Sequence, residues 1–283
     1  MTDFYISQPD LFLLEHWQKD SPLSIDAQRE QIFAKWVALG TREREPYYHQ
    51  QIGLGDLPTH SQELLNRIRL PTERLPVTDF KPYWLRTCYK PESEEAWTKI
   101  QSELEFNFGD LPPIYNDPAL YNFDNNWEKI FLRTPQLLRN TCLAEEYEDD
   151  VAEALQEGIE AEKFDEEEDS DPEDAMPWMT FYSEYLWRLS AGRIYIVDAT
   201  TLASNSKDRN AGKVLVVWYD ECGRGIRYYR QELDKAVDET GLFDYILRDR
   251  ACWENAEICE SYEEGAPLGP PYGEENSKDE TSE

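Results

Sequence analysis

The sequence has few of the local motifs that usually mark catalysis or metal binding. No P-loop, no G-x-G-x-x-G and no G-x-S-x-G occurs, so the common phosphate-binding, dinucleotide-binding and serine-hydrolase patterns are absent. The three His residues fall early in the chain, and none has a partner at metal-ligand spacing. We therefore predict no metal and no cofactor, and we expect a protein without catalytic activity.

Long apolar runs and cysteine pairs are also missing. No window approaches the roughly 18 apolar residues that a membrane-spanning helix needs. The first residues contain an early acid and no basic segment, unlike a secretory signal peptide. The chain has five Cys, an odd number, and no C-x-x-C. Together these features predict a soluble protein with free thiols in the cytoplasm or the nucleus.

Basic residues are scarce. The chain has 28 Lys and Arg against 59 Asp and Glu, a formal net charge of −31. No block of Lys or Arg supplies the basic face that phosphate contacts require, and an anionic membrane surface would repel the chain. We predict that the protein binds neither nucleic acid nor membranes directly.

The negative charge is concentrated in two segments. Residues 145–174 contain 17 acids and one base, and residues 254–283 contain 10 acids and one base. The rest of the chain carries a net charge of only −6. Two interpretations stay open: the acidic segments keep an aromatic-rich protein soluble, or they contact a basic protein.

The chain nevertheless has ample material for a folded core. Hydrophobic residues make up 40% of the sequence, and it contains nine Trp and seventeen Tyr. The strongest pattern lies in 193–233, where β-branched and aromatic runs at 194–197, 214–218 and 226–230 are separated by polar breaks. The break at 220–225 contains two Gly and predicts a hairpin turn.

Apolar residues at helical spacing precede and follow these strands. We predict helices at 24–40, 59–70, 91–106 and 234–248, a strand at 83–89, and a short strand with a turn at 127–138. The chain is therefore predicted to be α+β, with a mostly antiparallel sheet of about four to five strands backed by helices on one side.

Composition divides the chain into three regions. Residues 1–75 are predicted to form an N-terminal helical segment that packs on the body. Residues 76–262 form the α+β domain with an acidic insertion at 144–175, and residues 263–283 form an acidic tail. The insertion and the tail contain too few apolar residues to form a core and are predicted to be disordered.

Two carboxylates are candidates for a catalytic site. Asp198 and Asp220 each follow a predicted strand, and two such groups at one sheet edge could bind Mg²⁺ or act as acid and base. Asp after a strand is equally typical of turn initiation. If 194–198 and 214–218 form a simple hairpin, the two side chains lie at opposite ends and do not meet.

The acidic insertion and the residues just after it carry the remaining candidates. Ser170 is surrounded by acids and suits an acid-directed kinase. The aromatic side chains of Trp178, Phe181 and Tyr182 follow directly, and they either contact a partner or return to the core. We therefore expect a non-catalytic protein-interaction module, with two alternatives: a hydrolase-type enzyme using Asp198 or Asp220, and an acidic mimic of nucleic acid.

Overall fold

A computed structural model describes residues 6–39, 41–48, 53–69, 83–107, 114–138, 190–203, 208–241 and 256–259. The helices of this part are α1 (Gln8–His16), α2 (Ile25–Ala38), α3 (Thr41–Tyr48), α4 (Thr59–Ile68), α5 (Glu94–Asn107), α6 (Pro118–Tyr121), α7 (Ile130–Arg133) and α8 (Leu233–Gly241). The strands are β1 (Tyr83–Arg86), β2 (Ile114–Tyr115), β3 (Gly192–Val197), β4 (Val214–Tyr219), β5 (Gly225–Gln231) and β6 (Glu257–Ile258).

The described strands form one six-stranded sheet in the order β2-β1-β3-β4-β5-β6. β1 pairs in parallel with both β2 and β3, whereas β3 to β6 pair antiparallel. The α+β class and the three predicted strands β3, β4 and β5 are confirmed. The prediction of a mostly antiparallel sheet of four to five strands is wrong, because α5 carries the chain back to the same end of the sheet and β2 then pairs in parallel with β1.

The two faces of the sheet are covered by different helices. Strand alternation sends Leu85, Ile194 and Val217 to one face, where they pack with residues of α1, α2, α4 and α7. The neighbouring residues face the other way and pack with α5 and α8; these are Trp84, Tyr195 and Val216. Helices therefore lie on both sides of the sheet, and the prediction of one-sided cover is wrong.

Arg44 fixes the end of α2 against the sheet. It is fully buried. Its guanidinium donates to the carbonyls of Trp36 (3.0 and 3.1 Å) and Val37 (3.1 Å) in the last turn of α2. It also donates to the Glu221 carbonyl (2.8 Å) in the turn between β4 and β5. One side chain thus holds the N-terminal helices to the centre of the fold.

Residues 127–138 form helical turns, so the predicted short strand there is wrong. Two 3-10 turns (Trp127–Lys129 and Pro135–Leu137) flank α7. The buried Arg29 of α2 donates to the carbonyls of Leu132 (3.2 Å) and Arg133 (2.8 Å). Because this guanidinium satisfies the carbonyls at the end of α7, a single helical turn persists in front of Pro135.

The predicted boundaries at 75/76 and 262/263 and the acidic insertion at 144–175 all fall outside the described residues, and they stay predictions. No helix in the described part is long and apolar enough to cross a membrane.

Candidate functional site

In the parallel half of the sheet, the strand order reverses around β1, and open α/β sheets bind ligands at such a reversal. After β1 the chain passes over one face through α5 to β2, and α6 and α7 then lie on the opposite face. β3 pairs with the other side of β1. In such sheets, ligands bind outside the carboxyl ends of the strands where the strand order reverses. The loops after β1 and β3 are therefore the first place to look for a site.

Asp198 lies at this edge, directly after β3. Its Oδ1 accepts hydrogen bonds from the Thr201 backbone N–H (2.8 Å), the Thr201 hydroxyl (2.9 Å) and Arg230 Nη1 (3.1 Å). Arg230 Nη2 donates to Oδ2, so the guanidinium binds the carboxylate through two nitrogens. The Lys213 carbonyl accepts from Arg230 Nη1 (3.1 Å) and lies 2.8 Å from the Thr201 hydroxyl oxygen.

This arrangement keeps Asp198 ionised. Burial by itself raises the pKa of this carboxyl, but the hydrogen bonds from Arg230 and Thr201 outweigh it and hold the pKa below the usual value for Asp. The side chains of Asp198 and Arg230 are only 11% and 17% exposed. A carboxylate with several protein donors and little exposed surface is suited to stabilise the arrangement of β3, β4 and β5. It is a poor general base, because its low pKa makes it a weak proton acceptor.

Asp220 lies in the turn between β4 and β5. Its Oδ1 accepts from the backbone N–H groups of Cys222 (2.9 Å) and Arg224 (2.8 Å), and its Oδ2 accepts from Arg224 Nε (2.9 Å). Gly223 occupies the left-handed region of the turn with φ +78°. The carboxylate therefore organises a hairpin turn, the second interpretation that its position after a strand allows.

The structure does not bring Asp198 and Asp220 together. β3 and β4 are antiparallel, with Ile196 opposite Leu215 and Gly192 opposite Tyr219. Asp198 follows the end of β3, and Asp220 follows the end of β4. The two carboxylates lie at opposite ends of the strand pair, about 20 Å apart at the usual rise per strand residue.

Arg86 is a charged residue of this edge that the sequence pattern did not single out. It ends β1 with a side chain only 3% exposed and binds Glu94 at the start of α5, with its Nη2 2.5 Å from Oε1. Its Nε donates to the Cys88 carbonyl (2.8 Å), and the guanidinium lies 4.4 Å from the ring centroid of Tyr89. The hydrogen bond from Arg86 lowers the pKa of Glu94. Arg86 thus fixes the loop between β1 and α5.

Two of the described thiols and the His16 imidazole are also committed to packing, whereas His60 is exposed. Burial raises the pKa of Cys222 and of Cys259 to about 12, so both thiols are protonated at neutral pH and are poor nucleophiles. His16 stacks on Phe12 with ring centroids 4.0 Å apart, and its Nδ1 donates to the Phe12 carbonyl (3.0 Å). In the part of the chain that the structure describes, no three His, Cys, Asp or Glu side chains gather as metal ligands.

The candidates in the acidic insertion and just after it belong to another part of the chain. Ser170, Trp178, Phe181 and Tyr182 all belong to 139–189, which lies outside the described residues. Their proposed roles stay predictions. Comparison with known proteins finds no matching protein family, no matching curated protein and no matching solved structure.

Proposed function

We propose that this protein is a non-catalytic interaction protein that contacts a basic protein through its acidic segments 145–174 and 254–283. The observation that carries the proposal is the separation of charge. The 161 described residues contain 26 acidic and 19 basic residues, a net charge of −7 out of −31. Most of the negative charge is therefore supplied by the rest of the chain.

The contacts of the described carboxylates support this division. Asp198 and Asp220 are each bound by an arginine and by backbone N–H groups of their own turns. Charges already paired inside a fold contribute little to the recognition of a partner. Clustered unpaired charges steer an oppositely charged protein and accelerate its association, in a way that salt screens.

The aromatic residues Trp178, Phe181 and Tyr182 are the proposed specific contacts. Charge alone gives little discrimination among basic proteins, whereas buried aromatic side chains supply much of the binding energy at interfaces. Phosphorylation of Ser170 would add a charge of about −1.5 to −2 to the same segment and would strengthen the contact.

Affinity capture tests the proposal. We would compare three baits: the full chain, a variant in which the 17 acids of 145–174 are replaced by the matching amides, and a variant carrying only Asp198→Asn. The full chain and Asp198→Asn should retain the same basic proteins at about 50 mM salt, and the amide variant should lose them. Raising the salt to about 500 mM should release them. A partner set that is the same for all three baits would contradict the proposal.

An enzyme is the second candidate, favoured by one observation. Asp198 lies at the carboxyl edge of the parallel strands, where α/β enzymes place catalytic groups. A screen of hydrolase substrates with divalent metal ions separates the two candidates. Turnover that Asp198→Asn abolishes in a folded protein would favour the enzyme. Captured proteins that an oligonucleotide displaces would favour the nucleic-acid mimic.

A further inference from the structure

A polar cavity opens between α2, α6 and α7. Its volume is about 220 Å³. Glu30, Asn122, Lys129 and Arg133 provide its polar groups, and the turn at 118–120 together with Phe123 provides an apolar wall. The cavity thus gathers two cations and one amide against a single carboxylate.

The two cations have few protein partners: Arg133 is partly buried, and Lys129 is exposed to solvent. Arg133 Nη2 lies 3.7 Å from Glu30 Oε2, which is too long for a hydrogen bond. The Arg133 side chain is 22% exposed, and within the described residues its guanidinium makes no other polar contact. Lys129 has no ion pair in the same part of the chain. A guanidinium has five donors, and those of Arg133 are not among the buried atoms without a partner, so they reach solvent and are available to a ligand.

The cavity also lies on the side of the sheet where a ligand is expected. Helix α6, whose residues 118–120 line the cavity, follows the carboxyl end of β2. Asp124, next to the apolar wall at Phe123, donates its backbone N–H to the Thr87 carbonyl (3.1 Å) directly after β1. The wall of the cavity is thereby attached to the carboxyl edge of the parallel strands, near the reversal of strand order.

We propose that this cavity binds a small soluble molecule through its phosphate or carboxylate group. Arg133 presents two parallel N–H groups to the oxyanion, Lys129 supplies a second positive charge, and the Asn122 amide donates a further hydrogen bond. The volume is smaller than the roughly 300 Å³ at which drug-sized pockets begin, so the ligand has few atoms beyond its anionic group. Glu30 competes with the ligand for Arg133.

Isothermal titration with two probes tests this site: inorganic phosphate in one series and succinate in the other. The full-length wild type is compared with Arg133→Gln, Lys129→Gln and Glu30→Gln. Lys99→Gln is the matched control, because Lys99 is an exposed residue of α5 that pairs with Glu95 and its substitution removes the same charge.

Arg133→Gln should weaken binding about 10-fold or more, the usual consequence of losing a charge-assisted pair. Lys129→Gln should weaken it less, Lys99→Gln should not change it, and Glu30→Gln should tighten it severalfold because the competing carboxylate is gone. Tightening by Glu30→Gln is a gain that misfolding would not produce, and circular dichroism of Arg133→Gln shows whether that variant is folded. Binding of only one probe identifies the ligand's anionic group. The absence of saturable binding of either probe, or wild-type binding by Arg133→Gln, would overturn the proposal.

Discussion

Breaking the ion pair between Asp198 and Arg230 should be among the most destabilising single changes in this fold. Asp198→Asn removes the carboxylate charge but keeps the size of the side chain, and it leaves the guanidinium of Arg230, 17% exposed, without its counter-ion. Losing one partner of a buried pair costs about 3 to 5 kcal/mol. Because both side chains keep some contact with solvent, we expect the lower end, about 3 kcal/mol of unfolding free energy.

A double-mutant cycle isolates the pair from the rest of the site. Arg230→Met should cost a similar amount, because the Asp198 carboxylate then keeps only the donors of Thr201. The double variant should be more stable than the sum of the two losses implies, with a coupling energy of about 2 kcal/mol. Asp20→Asn, a change at an exposed acid, is the control and should cost less than about 0.5 kcal/mol.

The same pair predicts a pH dependence with a definite sign. The pKa of Asp198 is lowered in the folded state, so its contribution is present above the unfolded-state pKa of about 3.9 and is lost as the pH falls through the folded-state pKa. The gap in stability between wild type and Asp198→Asn should therefore narrow in acid. Urea unfolding followed by tryptophan fluorescence measures all of these quantities. A coupling energy below about 0.5 kcal/mol near neutral pH would refute the argument.

Two further predictions concern the turn between β4 and β5 and the described thiols. Gly223 and Gly212 both have φ near +80°, at +78° and +80°, but a Cβ at Gly223 would lie 2.4 Å from Phe131 whereas one at Gly212 meets nothing within 4 Å. Gly212→Ala should thus cost about 1 kcal/mol of strain in urea unfolding, and Gly223→Ala about 2 kcal/mol more; equal costs would contradict the packing described here. Cys222 and Cys259, with pKa values of about 12, should resist iodoacetamide in the native protein near pH 8 and react in urea, as peptide mass spectrometry can show; rapid native alkylation would contradict their burial.

The centre of the sheet could be predicted because its signals are local. β3, β4 and β5 are runs of β-branched and aromatic residues, and the break at 220–225 contains the Gly that the turn requires. The parallel pairing of β1 with β2 was missed because β2 is only two residues long and carries little pattern of its own. The helical turn α7 was missed because its end depends on Arg29, about a hundred residues earlier in the chain.

The candidate site shows the same division between local and distant contacts. The hydrogen bonds that the Asp220 carboxylate accepts from Cys222 and Arg224 span at most four residues, so a turn role follows from the sequence around it. The partner of Asp198 is Arg230, which is separated from it by 32 residues and reaches it only through the pairing of β3, β4 and β5. The pairing of a given arginine with a given carboxylate depends on the strand register, which cannot be read from a single sequence.

Equilibrium binding to a captured basic partner is the most direct test of the central claim that the acidic segments carry the function. The dissociation constant would be measured for the wild type, for Asp198→Asn and for the variant with amides in place of the 17 acids of 145–174. We expect equal affinity for the wild type and Asp198→Asn, and a loss of at least about 10-fold for the amide variant, comparable to the effect of high salt on the wild type. Unchanged affinity in the amide variant, together with weaker binding by a folded Asp198→Asn, would contradict the claim and would place the function in the sheet.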